Sequence, residues 1–271
     1  MKKEIPIFFT INNNEAKLLM VAINSIKNNA SLDNNYNINI IYDYLNEENK
    51  NNLLKFNAKN FKINLIKGEE IVKKDKFTNL EFDMKYYRYF LAKKFNELDK
   101  AIYLDYDVVL CSDIAKLFDI NLGDNLLGAV PDEMVNKVCE LISYTNDCLK
   151  INAQNYINSG VLVMNFKVFR EENLENDFIK LLNQKSFILF KDQTYLNLLC
   201  KDRIKYLDLS WNKMPFDRSL NEKEINLIHY NLNYKPWRYK GVNYENSFWQ
   251  NAKQIKLENQ FKRNRLEFLM G

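Results

Sequence analysis

Glycine is scarce in this chain. Only six occur in 271 residues, and the first is Gly68. That scarcity excludes the loops that cradle phosphates with backbone amides. There is no G-x-x-x-x-G-K-S/T, no G-x-G-x-x-G, and no glycine-rich N-terminal loop of the sort sugar nucleotidyltransferases use. Any phosphate must then be held by a metal ion and cationic side chains. The four cysteines, Cys111, Cys139, Cys148 and Cys200, show no C-x-x-C spacing, which argues against a zinc site or a disulfide frame. Each has an apolar sequence neighbour, as a buried free thiol in a reducing cytoplasm would. No apolar run is long enough to span a bilayer. The stretch Ile5-Pro6-Ile7-Phe8-Phe9 gives way to polar Thr10 and Asn12 before a signal-length apolar region forms. A cytoplasmic protein, soluble or held peripherally on the inner face of the membrane, is expected. Charge of one sign is lacking too: 39 basic against 35 acidic residues leave a formal +4, which does not call for nucleic acid.

What is present is ample apolar material, 46% of residues with 14% aromatic, and an alternation of strands and helices. Ile5 to Phe9 reads as a strand, and Glu15 to Lys27 as a helix with Leu18, Val21, Ala22 and Ile26 at helical spacing. A strand near Ile38 to Tyr42, a helix near Asn46 to Phe56 and a strand near Phe61 to Ile66 complete a βαβαβ unit. This implies an α/β fold whose sheet is covered on both faces, with ligands beyond the carboxyl ends of the strands. A helix near Met84 to Asn96 carries Tyr87, Phe90, Leu91 and Phe95 as an apolar stripe, and Ala101 to Leu104 is the next strand. A turn and strand follow over Asp119 to Val130, then a strand over Tyr156 to Phe166 interrupted at Asn158-Ser159-Gly160. Helices near Leu174 to Leu182 and Asp192 to Leu199 precede a strand at Ile204 to Leu207. After Ser210 the pattern is irregular until Glu245 to Phe261, which has helical character. We expect one domain over residues 1–250 and a basic amphipathic tail over 251–271.

The chemistry concentrates at two places. Asp105-Tyr106-Asp107 closes the apolar run Ala101 to Leu104, and the only histidine, His229, opens His229-Tyr230-Asn231-Leu232-Asn233-Tyr234-Lys235-Pro236-Trp237. On an extended chain Asp105 and Asp107 project to the same side, with Tyr106 turned away, so both carboxylates can reach one ion. Acidic pairs at strand ends commonly cap helices or sit in solvated turns, and a single histidine is more often packed or solvent-facing than a ligand. Together, two carboxylates and an imidazole suit Mn²⁺, or Mg²⁺, better than zinc. Lys235, next to the presumed ligand, is the natural partner for a phosphate.

At this point the motifs spell a family. Tyr103-Leu104-Asp105-Tyr106-Asp107-Val108-Val109, Leu122-Gly123-Asp124-Asn125-Leu126-Leu127-Gly128-Ala129, Asn158-Ser159-Gly160-Val161-Leu162-Val163-Met164-Asn165, Asp192-Gln193 and the His229 to Trp237 run resemble glycosyltransferase family 8. Within it they are most similar to bacterial lipopolysaccharide galactosyl- and glucosyltransferases, with glycogenin more distant. The resemblance implies a GT-A fold, a single Rossmann-like mixed sheet flanked by helices. It also implies a retaining, metal-dependent hexosyltransferase that uses UDP-galactose or UDP-glucose and a glycan or lipid-linked acceptor such as lipopolysaccharide. By the same resemblance Asp105, Asp107 and His229 bind Mn²⁺, and Arg88 reaches the donor. Thr10, Ile11, Asn12 and Asn14 form the uridine turn. Asn158, Asp192 and Gln193 contact the donor sugar, Tyr106 and Lys235 belong to the donor site, and Asp132 lines the acceptor side. Asp192 and Gln193 are the candidate catalytic residues; a front-face reaction, with acceptor attacking on the leaving-group side, is our expectation.

Three positions depart from the family's pattern. Leu232 stands where a glycine is usual after the histidine, Asn12 where the uridine turn often has aspartate, and Thr194 where a second aspartate commonly follows the Asp-Gln pair. Other functions compatible with the same residues are a metal-dependent UDP-sugar hydrolase, a self-glucosylating enzyme like glycogenin, and a non-catalytic nucleotide-sugar-binding module. In the tail, Lys253, Lys256, Lys262, Arg263 and Arg265 are mixed with Ile255, Leu257, Phe261, Leu266 and Phe268. That composition fits an anionic membrane surface as well as a solvated helix packed on the domain.

Overall fold

The computed structural model describes residues 2–72, 82–184, 187, 189–263 and 265. Strand β1 (Lys3–Ile11) is buried on both faces beyond its first two residues, and apolar there except for Thr10, as befits a strand covered on both sides. Its alternate side chains feed two cores: Ile5, Ile7, Phe9 and Ile11 enter one, and Phe8 the other. The chain then winds through a helix at Ala16–Asn29, β2 (Asn34–Tyr42), a helix at Glu47–Leu54 and β3 (Phe61–Lys67). Asn46 caps the Glu47–Leu54 helix through a 2.8 Å bond accepted from the Asn49 amide. β1, β2 and β3 pair in parallel, so the βαβαβ unit expected from periodicity is present.

From β3 the chain returns to the far side of β1, where β4 (Ala101–Leu104) pairs with it in parallel. That reversal at β1 and β4 opens a crevice at their carboxyl ends, where ligands of such sheets bind. The sheet continues with β7 (Ile157–Met164), antiparallel to β4, then β6 (Leu127–Pro131), and ends at β8 (Ile204–Tyr206). The full order is β3-β2-β1-β4-β7-β6-β8, a single mixed sheet flanked by helices. Two short strands, β5 (Val108–Leu110) and β9 (Leu227–His229), form a separate antiparallel ribbon.

The structure corrects several sequence expectations. Residues Met84–Phe90 wind as a 3-10 helix, with only Leu91–Lys94 in α-helix. An amphipathic helix needs a solvent face, and the five consecutive residues from Tyr86 to Phe90 are all buried. β7 runs unbroken through Asn158-Ser159-Gly160. The Glu245 to Phe261 stretch is two helices, Glu245–Gln254 and Glu258–Lys262, separated where Lys256 adopts φ +62°. Of the four thiols only Cys200 is buried, while Cys139 and Cys148 are exposed. An apolar sequence neighbour does not bury a cysteine at the end of a short helix. At the C-terminus Phe261 packs 5.5 Å from Phe248, and the Arg265 guanidinium lies 4.7 Å from the Trp249 ring centroid. Leu266 and Phe268 of the tail lie outside the described residues. Among the described residues no helix is long and apolar enough to cross a membrane.

One aromatic cluster fixes the Met84–Lys94 segment behind the sheet. Phe178, fully buried, stacks on Tyr89 at 3.8 Å and meets Tyr86, Phe90 and Tyr195 edge-on. Phe178→Ala therefore costs about 3–5 kcal/mol and lowers the thermal midpoint by roughly 10 °C. Differential scanning calorimetry checks this, and a shift below a degree would show that the stack does not bear on stability.

Candidate active site

The ribbon of β5 and β9 brings residues distant in sequence together. In its register Val108 faces His229, and the Tyr230 amide donates to the Asp107 carbonyl at 2.9 Å. His229 is thereby laid beside Asp107, whose partner Asp105 is anchored by its own amide to the Gly160 carbonyl at 2.8 Å. Asp105-Tyr106-Asp107 is a turn between β4 and β5 rather than extended chain. Convergence of the carboxylates thus comes from the turn and the ribbon, not from strand alternation. The ligand atoms of Asp105, Asp107 and His229 all lie within 4.8 Å of one another. Nε2 of His229 sits 3.2 Å from Asp107 Oδ1 and 3.9 Å from Asp105 Oδ2. That nitrogen is buried and has no hydrogen-bond partner, a costly state unless something takes its lone pair. Two carboxylate oxygens and an imidazole nitrogen are a donor set for a hard or borderline divalent cation. Gly160 makes the ring's position available: a Cβ there would lie 2.1 Å from His229 Cε1.

Charge is balanced around this cluster. Burial raises the Asp107 carboxyl, but the ammonium of Lys235, through its charge and its hydrogen bond, outweighs this and holds the group well below the usual carboxylate range. Lys235 Nζ lies 2.5 Å from Asp107 Oδ2 and 2.5 Å from the Tyr230 carbonyl. Arg88 is fully buried beneath the site. Its guanidinium donates to the Ser159 carbonyl (2.8 Å) and Tyr103 Oη (3.0 Å), and stands 3.4 Å from Asp105 and 3.3 Å from Asp192. It therefore positions two carboxylates from below. The side chain that stands exposed beside the same carboxylates is Lys85, whose ammonium the charges of Asp192 and Asp105 hold above the ordinary lysine range.

Two adjoining clefts share Lys85 and Asp105 in their walls. The first, about 180 Å³, is bounded by Thr10, Ile11, Asn12, Glu15, Asp83 and Tyr106 among others. Thr10 Oγ1 bonds Tyr103 Oη at 2.6 Å, and burial pushes the Tyr103 phenol up to about 12. Asn12 caps the short turn that follows, accepting from the Asn14 amide at 3.0 Å while its own amide donates to Glu15 at 2.8 Å. Burial also raises the Glu15 carboxyl. Asn14 is exposed and does not line this cleft. The second cleft, about 380 Å³, includes Asp132, Asn158, Asp192, Gln193, His229 and Leu232 in its lining. Gln193 Nε2 and Asn158 Nδ2 both donate to Asp132 Oδ2 at 3.0 Å, and Ser159 Oγ donates to Asp192 at 3.3 Å. Thr194 is fully buried and bonds Tyr156 Oη at 2.9 Å, so that departure falls in packing. A larger cavity of about 760 Å³, between Met20, Lys27, Phe56 and Leu257, contains neither a carboxylate nor a histidine; size does not identify the site. Lys85, Tyr103 and Asn212, which bonds His229 Nδ1 at 3.0 Å, escaped sequence reasoning. Tyr103 stands inside the Asp-Tyr-Asp motif without a role of its own there, Lys85 is only near one, and Asn212 has not even that.

The profile described as Glycosyl transferase family 8 matches residues 6–241. This chain belongs to glycosyltransferase family 8. Among family relatives, the lipopolysaccharide glucosyltransferase WaaO of Escherichia coli is 28% identical over 164 residues, 56% of this chain and 48% of that protein. A putative glycosyltransferase of Haemophilus influenzae is 29% identical over 140 residues, 51% of this chain and 42% of the relative. The matched segment thus spans half or less of these curated relatives. Of solved structures, the apo WbbM bifunctional glycosyltransferase superposes with a TM-score of 0.87 at 23% identity, covering 98% of this chain and 52% of that one. The galactosyltransferase LgtC, solved with donor and acceptor sugar analogs, gives 0.71 at 22% identity, covering 92% and 96%. The fold is GT-A, as the sequence motifs implied.

In this family 8 chain, Gly160→Ala forces the imidazole away from the two aspartates. Divalent-cation affinity, probed with Mn²⁺ by calorimetry, is expected to fall about 10- to 100-fold, the range for disturbing a ligand's surroundings. Unchanged affinity would show that His229 is not held where the geometry puts it.

Proposed function

We propose that this chain transfers a hexose, galactose or glucose, from a UDP-sugar to a hydroxyl of a glycan acceptor with retention of anomeric configuration, using Mn²⁺, or Mg²⁺, held by Asp105, Asp107 and His229. The observation that carries this is the buried, unpartnered Nε2 of His229 between two carboxylates at the mouth of the β1 and β4 crevice. Family membership implies a nucleotide-sugar donor and a glycan acceptor. When bound, the cation supplies a Lewis acid at the diphosphate, where leaving-group charge develops.

The chain's own residues divide the remaining work. Thr10, Ile11 and Asn12, beside Tyr106, offer a cleft for uridine, and Asn14 follows in the same turn. Lys85 and Lys235 flank the diphosphate position with fixed positive charge. Arg88 stays beneath and keeps Asp105 and Asp192 in place. Asn158, Asp192 and Gln193 present polar groups to the donor sugar, and Asp132 faces the acceptor side. Asp192 is engaged by Arg88 and Ser159, and Gln193 is bonded at both ends of its amide. Gln193, an amide, is a poor nucleophile, and Arg88 and Ser159 both hold Oδ2 of Asp192. This favours front-face attack, with the leaving phosphate oxygen taking the acceptor proton. The resemblance to a lipopolysaccharide glucosyltransferase favours a surface polysaccharide as acceptor and the cytoplasm as the place of reaction. Lys253, Lys256, Lys262 and Arg263 give the C-terminal helices a basic character suited to the inner membrane face.

Incubation with UDP-galactose or UDP-glucose, Mn²⁺ and a panel of glycan acceptors should give an acceptor-dependent product, and Asp107→Ala should lower turnover by on the order of 10²- to 10³-fold, as for loss of an electrostatic anchor. UDP release that ignores the acceptor would make the protein a hydrolase instead. A glycosyl adduct on Asp192 in the mass spectrum would overturn the front-face step.

A further inference from the structure

The orientation of His229 is set by a chain of amides that begins at two backbone donors. The Gly160 amide, which can only donate, bonds Asn158 Oδ1 at 3.0 Å, and the Ser159 amide bonds Gln193 Oε1 at 3.0 Å. These two contacts settle which end of each side-chain amide is oxygen. Asn158 Nδ2 consequently faces Asp132 Oδ2 (3.0 Å) and Gln193 Oε1 (3.2 Å), both acceptors. Asn158 Oδ1 is left to accept from Asn212 Nδ2 at 3.0 Å, which turns Asn212 Oδ1 toward His229 Nδ1, also at 3.0 Å. An amide oxygen accepts, so Nδ1 must carry the imidazole proton. In the neutral ring Nε2 then presents a bare lone pair to Asp105 and Asp107. Every member is buried, with Asn212 and His229 each 1% exposed, so bulk water does not compete for these bonds.

We infer that Asn158 and Asn212 are positioning residues: together they lock His229 in the Nδ1–H tautomer and aim its Nε2 lone pair at the cation position before any cation arrives. Free neutral imidazole prefers the proton on Nε2, which would set a donor against the cation. The relay removes that cost in advance and ties the metal ligand to Asp132 and Gln193 on the sugar side. The consequence for metal affinity rests on the reading of Asp105, Asp107 and His229 as a metal site; the tautomer does not.

The chain has a single histidine, so ¹⁵N-histidine labelling gives one imidazole spectrum in the full protein. At pH 8, without metal, the wild-type ring is expected to show a protonated Nδ1 and an unprotonated Nε2. Asn212→Leu, which removes the acceptor, should move the proton toward Nε2 and weaken Mn²⁺ binding about 10- to 100-fold. Asn212→Asp, which keeps an acceptor facing Nδ1, should retain the wild-type tautomer. A wild-type ring protonated on Nε2 overturns the proposal whether or not the variants fold, as does an Asn212→Leu spectrum identical to wild type. A wild-type Nδ1–H tautomer in a protein that takes up no Mn²⁺ leaves the relay standing and overturns the metal reading instead.

Discussion

The pairing of three residues with three residues governs this site. β5 and β9 are among the shortest strands of the fold, yet their register is what puts His229 against the Asp105-Tyr106-Asp107 turn. The ribbon is held on both edges. The Lys213 carbonyl accepts from the His229 amide at 2.9 Å, and Lys213 itself is a fully buried cation bonded to Glu133 at 2.7 and 3.0 Å and to Asp217 at 3.1 Å. Beneath the ribbon, Val109, Ile228 and Tyr230 enter a core closed by Phe248 and Trp249. A buried ion pair is a poor source of net stability but a strong constraint on where its partners sit. Here it fixes the strand that carries the imidazole.

The same logic applies below the sheet edge. Arg88 gives up all contact with solvent and uses its fork to reach a carbonyl, a phenol and two carboxylates from separate elements. Its guanidinium also lies 4.1 Å from the Tyr103 ring centroid, and Tyr103 in turn holds Thr10. One cation thus joins β1, β4, β7 and the helix at Lys191–Leu199. The aromatic packing of Tyr86, Tyr89 and Phe90 on Phe178 is what keeps that cation from withdrawing.

The parts of this arrangement that were legible in the sequence are those with a pattern. Apolar alternation and helical spacing gave the β1 to β3 unit, and the Asp-Tyr-Asp turn, the Asn-Ser-Gly segment and the lone histidine stood out by type and context. What was not legible depends on registers and packing between distant segments. Three-residue strands such as Leu227-Ile228-His229 carry no periodicity. The 3-10 winding of Met84–Phe90 follows from burial on all sides, which a stripe count does not reveal. Asn212 has no motif at all, and its role appears only once Asn158 and His229 are seen on either side of it. Arg88 stood out by its place before the Asp-Tyr-Asp turn, but its depth beneath the carboxylates, and the exposure of Lys85 beside them, come from packing that no motif records.

Asp105, Asp107 and Asp192 are met by Lys85, Arg88 and Lys235, and Glu15, Asp83 and Asp132 add further carboxyl groups to the same cleft walls. The cations are thus already engaged by carboxylates. On the reading proposed above, an anionic guest entering alone would have to compete for them, whereas one arriving with a dication would bring its own counter-charge.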